Sequence, residues 1–203
     1  MTTNGQLGQK KLKRDARKGA ILRGAAKAFV KNGYDATTLD DIAEAAHVSR
    51  ALLYRHFDTK KDIYVAILGG NEELPRLADA ANPSIGTNRV NHLIDIAQAD
   101  PDRFILLFRH AAREPEFQEF TKKREKLRVS YAIEMLKPYI SSPKQRRFIA
   151  KLLSDTIISI LLSWTDAGCP DAAKMPTVLR GVQETIIDIF SNEELQAKQE
   201  GAK

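Results

Sequence analysis

The 203-residue sequence predicts an all-α protein of about nine helices, with a three-helix N-terminal head carrying a helix-turn-helix and a C-terminal helical body. Three observations predict it. Apolar residues recur at helical spacing along nearly the whole chain, and no alternating run is long enough for a strand. Prolines at 75, 83, 101, 115, 138, 143, 170 and 176 punctuate those periods, where helices begin and end. Two short apolar periods between Thr38 and Phe57 are joined by a tight turn.

Residues 1–14 are polar and basic, with glycines at 5 and 8, and read as a disordered tail. From Asp15, Ile21, Ala25 and Phe29 recur at i, i+4, i+8, with Leu22, Ala26 and Val30 beside them. Asn32-Gly33 ends that helix, because glycine tolerates the left-handed conformation past a helix end. Thr38 with Asp41 is a capping box for a second helix bearing Leu39, Ile42, Ala43 and Ala46. Ser49 caps a third, Arg50 to Phe57, and Lys60–Leu68 reads as a fourth that Gly69-Gly70 ends or bends. Further helices are expected near 86–99, 102–113, 116–139, 144–167 and 176–191. The head is expected over 15–60 and the body over 61–195, with a second disordered tail at 196–203.

Composition narrows the function. Residues 1–70 hold 13 Lys/Arg against 7 Asp/Glu, while the remainder holds 19 of each, so the whole excess of +6 lies at the N-terminal end. A basic head on a neutral body suits a polyanionic partner; the plainer reading is a solubilising tail supplied by Lys10, Lys11, Lys13, Arg14, Arg17 and Lys18. The single cysteine, Cys169, forbids an internal disulfide and is compatible with a reducing cytosol. No apolar run approaches the roughly 20 residues that span a bilayer, and Met1–Lys18 lacks a secretory apolar core. A cytoplasmic protein away from membranes is expected. The four histidines (47, 56, 92, 110) are widely spaced, and no metal, nucleophile-elbow or phosphate-loop motif occurs. No catalytic residue, metal or cofactor is therefore expected.

The third helix points to a binding chemistry. Leu53 and Phe57 make its inward stripe, with Val48 plugging the turn. Arg50, Ala51, Tyr54, Arg55 and His56 remain outward. A helix entering a DNA major groove needs this mixture: a guanidinium for guanine, small or apolar atoms for thymine methyls, and hydroxyl or cationic groups for phosphates. Thr37 and Thr38 offer hydroxyls at the start of the second helix, and Lys60 can reach a flanking phosphate.

The stretch Thr38–Phe57, TLDDIAEAAHVSRALLYRHF, followed by Thr59-Lys60-Lys61, resembles the DNA-binding signature of TetR-family regulators, as do Phe29 and Gly33-Tyr34 upstream. The resemblance covers about Ile21–Leu68. It implies phosphate contacts from Thr38, Tyr54 and Lys60, and contacts to bases or adjacent phosphates from Arg50, Ala51, Arg55 and His56. It also implies a capping role for Ser49, which can touch the DNA backbone too. Two positions depart from the family pattern. His47 stands where glycine is usual, and Leu52 where a small or hydroxyl residue is common; Leu52 can press on a thymine methyl.

The body is expected to dimerise. Helix 144–167 is apolar nearly all round at its centre, with Asp155, Ser159 and Ser163 in a small polar stripe. Helix 176–191 aligns Val178, Leu179, Val182, Thr185, Ile186 and Ile189. Either the two helices meet their symmetry mates, as the resemblance implies, or they fill the monomer core. The family resemblance also implies a small-molecule effector pocket, for which Phe104, Leu107, Phe108, Phe117, Tyr131 and Trp164 are candidates, with Phe120, Ile133 and Met135 near them in sequence. Ordinary core packing is the alternative for each. His110 with Glu114, and Arg109 with Arg113, read as helix-surface pairs or as polar ligand groups. The run Lys122–Arg128 reads as a solvated helix face paired with Glu119 and Glu125, with a second nucleic-acid site as the alternative. The function expected is a ligand-responsive repressor binding a palindromic operator on double-stranded DNA as a homodimer. An activator or a ligand-independent regulator of the same fold shares all the head chemistry, and a helical enzyme is the remote rival.

Overall fold

The computed structural model describes residues 3–69 and 85–200, with side chains described for 14–69 and 90–191. Gly70, Pro75, Pro83, the side chains of Lys10, Lys11 and Lys13, and residues 201–203 lie outside the described residues. Among those described there are nine α-helices: α1 (Thr3–Asn32), α2 (Leu39–Ala45), α3 (Arg50–Tyr54), α4 (Lys60–Ile67), α5 (Ile85–Ala99), α6 (Pro101–Ile105), α7 (Gln118–Leu136), α8 (Pro143–Asp166) and α9 (Met175–Glu200). A π-helical turn at Leu106–His110 continues α6, and short 3-10 turns at Pro115–Phe117 and Ala172–Lys174 precede α7 and α9. No described residue is in a strand, as the sequence predicted.

Several boundaries differ from expectation. The tail expected at 1–14 is helical from Thr3, because no proline interrupts the helix that Ile21 and Phe29 anchor, and the glycines at 5 and 8 weaken it without ending it. The tail expected from 196 is likewise helical to Glu200. Helix α3 stops at Tyr54, with Arg55 as its C-cap, so His56 and Phe57 lie just beyond it.

The chain divides into two compact units. Met1–Glu73 with Asp102–Glu114 form the first, and Leu74–Pro101 with Pro115–Lys203 the second. In the first, α1 packs against α2, α4 and the π turn. Its buried side chains include Ile21, Phe29, Ile42, Leu53, Ile63, Tyr64, Ile67, Phe104 and Leu106. Tyr64 stands edge-on to both Phe29 and Tyr34, at ring-centroid distances of 4.9 Å. Burial, then the nearby charge of Glu114, pushes the Tyr64 phenol well above its usual value, so it stays neutral. The compact head therefore runs past the expected boundary at residue 60.

In the second unit α7 packs on α8, and α5, α8 and α9 close the bundle. Leu136, Ile140, Ile149, Ala150 and Leu153 form a buried cluster backed by Val129, Ile133, Ile186 and Phe190. Arg128 of α7 donates to Ser154 Oγ and reaches Asp155 at 3.4 Å, while Lys151 bonds Glu125 and Asp155 at 2.7 Å each. Helix α8 is, among the described residues, long and apolar enough by composition to cross a membrane. Half of its apolar window is buried within the bundle, which is the pattern of a core helix.

Candidate nucleic-acid interface

The turn between α2 and α3 is built by local hydrogen bonds. Ala46 N–H donates to Ile42 O at 2.9 Å, His47 N–H to Glu44 O at 3.0 Å, and Val48 N–H to Ala43 O at 3.0 Å. His47 adopts φ +54°, the left-handed conformation that glycine takes most readily, so the turn survives the departure noted above. Ser49 then caps α3 by accepting from Leu52 N–H at 3.2 Å. Leu53 is 1% exposed and Phe57 8%. That burial fixes which face of α3 is left outside.

The outward face carries the residues the sequence singled out. Arg50, Ala51, Tyr54 and Arg55 are exposed, and Leu52 and His56 are half-buried. The Arg50 guanidinium lies 5.8 Å from the Tyr54 ring centroid and 3.1 Å from Asp40 Oδ2. A hydrogen bond with Tyr54 and then the charge of Asp40 raise its proton affinity, so it stays cationic. The Arg50–Asp40 pair is solvated on both sides, a weak and exchangeable contact that an incoming phosphate or guanine can replace. His56 is held below its usual value, first by desolvation and then by Arg14, Lys18, Arg17 and Arg55.

Three other candidates behave differently from one another. Thr38 is exposed at the start of α2 and completes the expected capping box: its Oγ1 accepts from Asp41 N–H at 3.1 Å, and Asp41 Oδ2 accepts from Thr38 N–H at 2.8 Å. The Thr38 hydroxyl and then its N–H hold the Asp41 carboxylate below its usual value. Thr37 corrects the sequence reading. It is 1% exposed, and its hydroxyl donates to Gly33 O at 2.5 Å, with Ala28 O at 3.3 Å, so it fastens the loop after α1 instead of facing a phosphate. Lys60 also departs from expectation. Its ammonium donates to Tyr34 O at 2.7 Å and Asp35 O at 3.0 Å and lies 4.6 Å from the Tyr34 ring centroid. Two of its three N–H donors are committed within the protein.

The candidate pocket residues fall in both units. Phe104, Leu107 and Phe108 belong to the first, where the Phe104 and Phe108 rings lie 4.7 Å apart. Phe117, Tyr131 and Trp164 belong to the second, where Phe117 is buried and Trp164 Nε1 donates to Pro170 O at 2.7 Å. Burial, then Arg109 and Arg113, lowers the proton affinity of His110. No group of three or more potential metal ligands is present among the described residues. The sequence reading missed Gly24 and Tyr64. Gly24 was visible only as a glycine within an otherwise apolar helical face, and Tyr64 only as an aromatic at the fourth helix's apolar spacing.

Comparison with known proteins agrees with this geometry. Residues 21–67 match the family model of bacterial regulatory proteins of the tetR family. The chain is 45% identical over 58 residues to the HTH-type transcriptional activator FasR of Mycolicibacterium smegmatis, a match covering 29% of this chain and 26% of that protein. It is 51% identical over 47 residues to the biofilm operon icaADBC HTH-type negative transcriptional regulator IcaR of Staphylococcus aureus, covering 23% of this chain and 25% of that one. The match thus spans about a quarter of the length of these relatives. Over most of its length the chain shares the fold of the fatty acid degradation regulator FadR from Bacillus halodurans, with TM-score 0.64 and 18% identity, covering 84% of this chain and 94% of that one. FadR from Bacillus subtilis, solved in complex with stearoyl-CoA, gives TM-score 0.57 and 16% identity over 83% and 96% of the two chains. Residues 21–67 therefore carry a head that matches the tetR family of bacterial regulatory proteins, and over most of its length the chain shares the fold of such regulators.

Proposed function

We propose that the chain is a cytoplasmic transcriptional regulator that binds a palindromic operator as a homodimer and represses until a small molecule releases it. One observation carries the DNA reading: burying Leu53 and Phe57 turns Arg50, Ala51, Tyr54 and Arg55 outward together on α3. In a major groove Arg50 reads a guanine edge, Ala51 and Leu52 meet thymine methyls, and Tyr54, Arg55, His56 and the exposed Thr38 engage bases or phosphates. Ser49 caps the reader at its N-terminal end.

Dimerisation is supported by exposed apolar side chains on the two long helices of the second unit. Phe148 and Leu152 on α8, and Val178 and Ile189 on α9, are 59, 37, 46 and 53% exposed. Paired heads then meet half-sites about one helical turn of DNA, roughly 34 Å, apart. An effector acts by binding the released state more tightly than the operator-bound one, and that difference bounds the effect. The stearoyl-CoA held by FadR of Bacillus subtilis is consistent with a partly apolar effector. Its candidate lining residues are, in the first unit, Phe104, Leu107 and Phe108 and, separately in the second, Phe117, Tyr131 and Trp164. Activation is the second reading, because FasR, similar in the same head, is described as an activator.

The test starts by selecting duplexes from a random-sequence library with the full chain. An inverted repeat is expected. Arg50→Ala is expected to relax preference at one base pair per half-site, by about 1–3 kcal/mol. Tyr54→Phe should weaken all selected sites alike. Unchanged binding by both variants overturns the assignment of α3 as the reader.

A further inference from the structure

The recognition helix leaves the basic run at the start of the chain without a task. Its placement follows from helical spacing. Ile21, Ala25 and Phe29 are the buried line of α1. Stepping back from Ile21 by four and three residues gives Arg17 and Lys18, and a further turn gives Arg14. The line that faces the head's core thus changes from apolar to cationic where the core ends. All three side chains are exposed.

That cationic turn lies beside the end of α3. The Lys18 ammonium sits 5.8 Å from the ring centroid of Phe57. The charges acting on the His56 imidazole are those of Arg14, Lys18, Arg17 and Arg55, all positive. Two segments far apart in sequence therefore converge on one cationic patch. Like charges gathered this way repel, and a polyanion relieves the repulsion.

We propose, building on the DNA-binding reading above, that Arg14, Arg17 and Lys18 with Arg55 and His56 form a second contact that grips duplex phosphates flanking the half-site read by α3. The patch adds affinity and salt sensitivity without base preference, because phosphates carry no sequence information. Helix α1 continues through Lys13, Lys11 and Lys10, whose side chains lie outside the described residues.

The experiment compares the full chain with Arg14→Ala/Arg17→Ala on library-selected duplexes, trimmed to the two half-sites or carrying about ten extra base pairs on each side. The wild type is expected to prefer the longer duplex. The variant should lose that preference while keeping the same base preferences. Each lost phosphate contact removes about 0.9 from the slope of log affinity against log salt, so losing two makes the variant's drop between 50 and 200 mM salt about tenfold smaller. Arg14→Lys/Arg17→Lys should restore the slope. Lys122→Ala/Lys123→Ala removes the same charge from exposed positions on α7 and should leave it unchanged. Equal slopes for the wild type and the Arg14→Ala/Arg17→Ala variant, or an equal loss in the Lys122/Lys123 variant, overturn the proposal and leave a solvated basic face. A wild type that selects no duplex overturns the regulator reading itself.

Discussion

Gly24 sits where α1 comes closest to the end of α2. A Cβ there would lie 2.4 Å from the Ala46 Cα and 2.5 Å from its nitrogen, and backbone at that range cannot yield as a flexible side chain does. Gly24→Ala is expected to destabilise the protein by about 1–3 kcal/mol despite the better helix propensity of alanine. Urea unfolding of the two chains checks this. The close approach was invisible in the sequence, where a glycine in a helix shows only a local cost. The Thr37-Thr38 pair teaches a related lesson. Both hydroxyls suit a helix start, and the capping box with Asp41 selects Thr38; the burial of Thr37 depends on the carbonyls of Gly33 and Ala28, which no local pattern reveals. His47 was legible only through the family resemblance, which puts glycine at that turn position, and the structure gives φ +54° there.

Helices were legible where their apolar period was long or their caps were chemical. The Ser49 cap, the Thr38 box and the Gly33 exit all stand where local chemistry placed them. The π turn at Leu106–His110 was not legible, because a one-residue widening of the helix hardly disturbs an apolar pattern. Helix α9 shows what the pattern leaves undecided. The sequence put Val178, Leu179, Val182, Thr185, Ile186 and Ile189 on one face, but Leu179 is fully buried while Val178 and Ile189 are about half exposed. The stripe therefore has a buried and an uncovered edge, and the proposed dimer covers the second. Val178→Lys/Ile189→Lys is expected to raise the dimer dissociation constant at least ~100-fold, by burying unpaired charge. Sedimentation should then show monomer at concentrations where the wild type is dimeric, with circular dichroism unchanged.

At the scale of the molecule, the charge asymmetry in the sequence falls at the end that carries the helix-turn-helix, yet the division of the chain was less legible. Residues 102–114 fold with the N-terminal unit, so Phe104 and Leu106 serve its core although they lie far along the sequence. Charge also sets how stability responds to pH. Both His56 and His110 hold their protons less well in the fold than at the unfolded value of 6.5. A base with a lowered folded pKa binds more protons when unfolded, so stability falls as pH drops through and below 6.5. His110→Gln is expected to flatten that fall between pH 7.5 and about 5.5, above the usual carboxylate range, as read by urea unfolding at fixed protein concentration. A steeper fall in the variant would contradict the assignment. The grip of Lys60 on Tyr34 and Asp35 has a last effect, joined by that of Arg103 Nε on the Ile67 carbonyl at 3.0 Å. Helix α4 is riveted at its first residue to the loop before α2 and at its last to the helix that follows Pro101. In the proposed regulator, these two fastenings would let a displacement of α4 carry to the loop before α2, where a loose joint at residue 60 would absorb it.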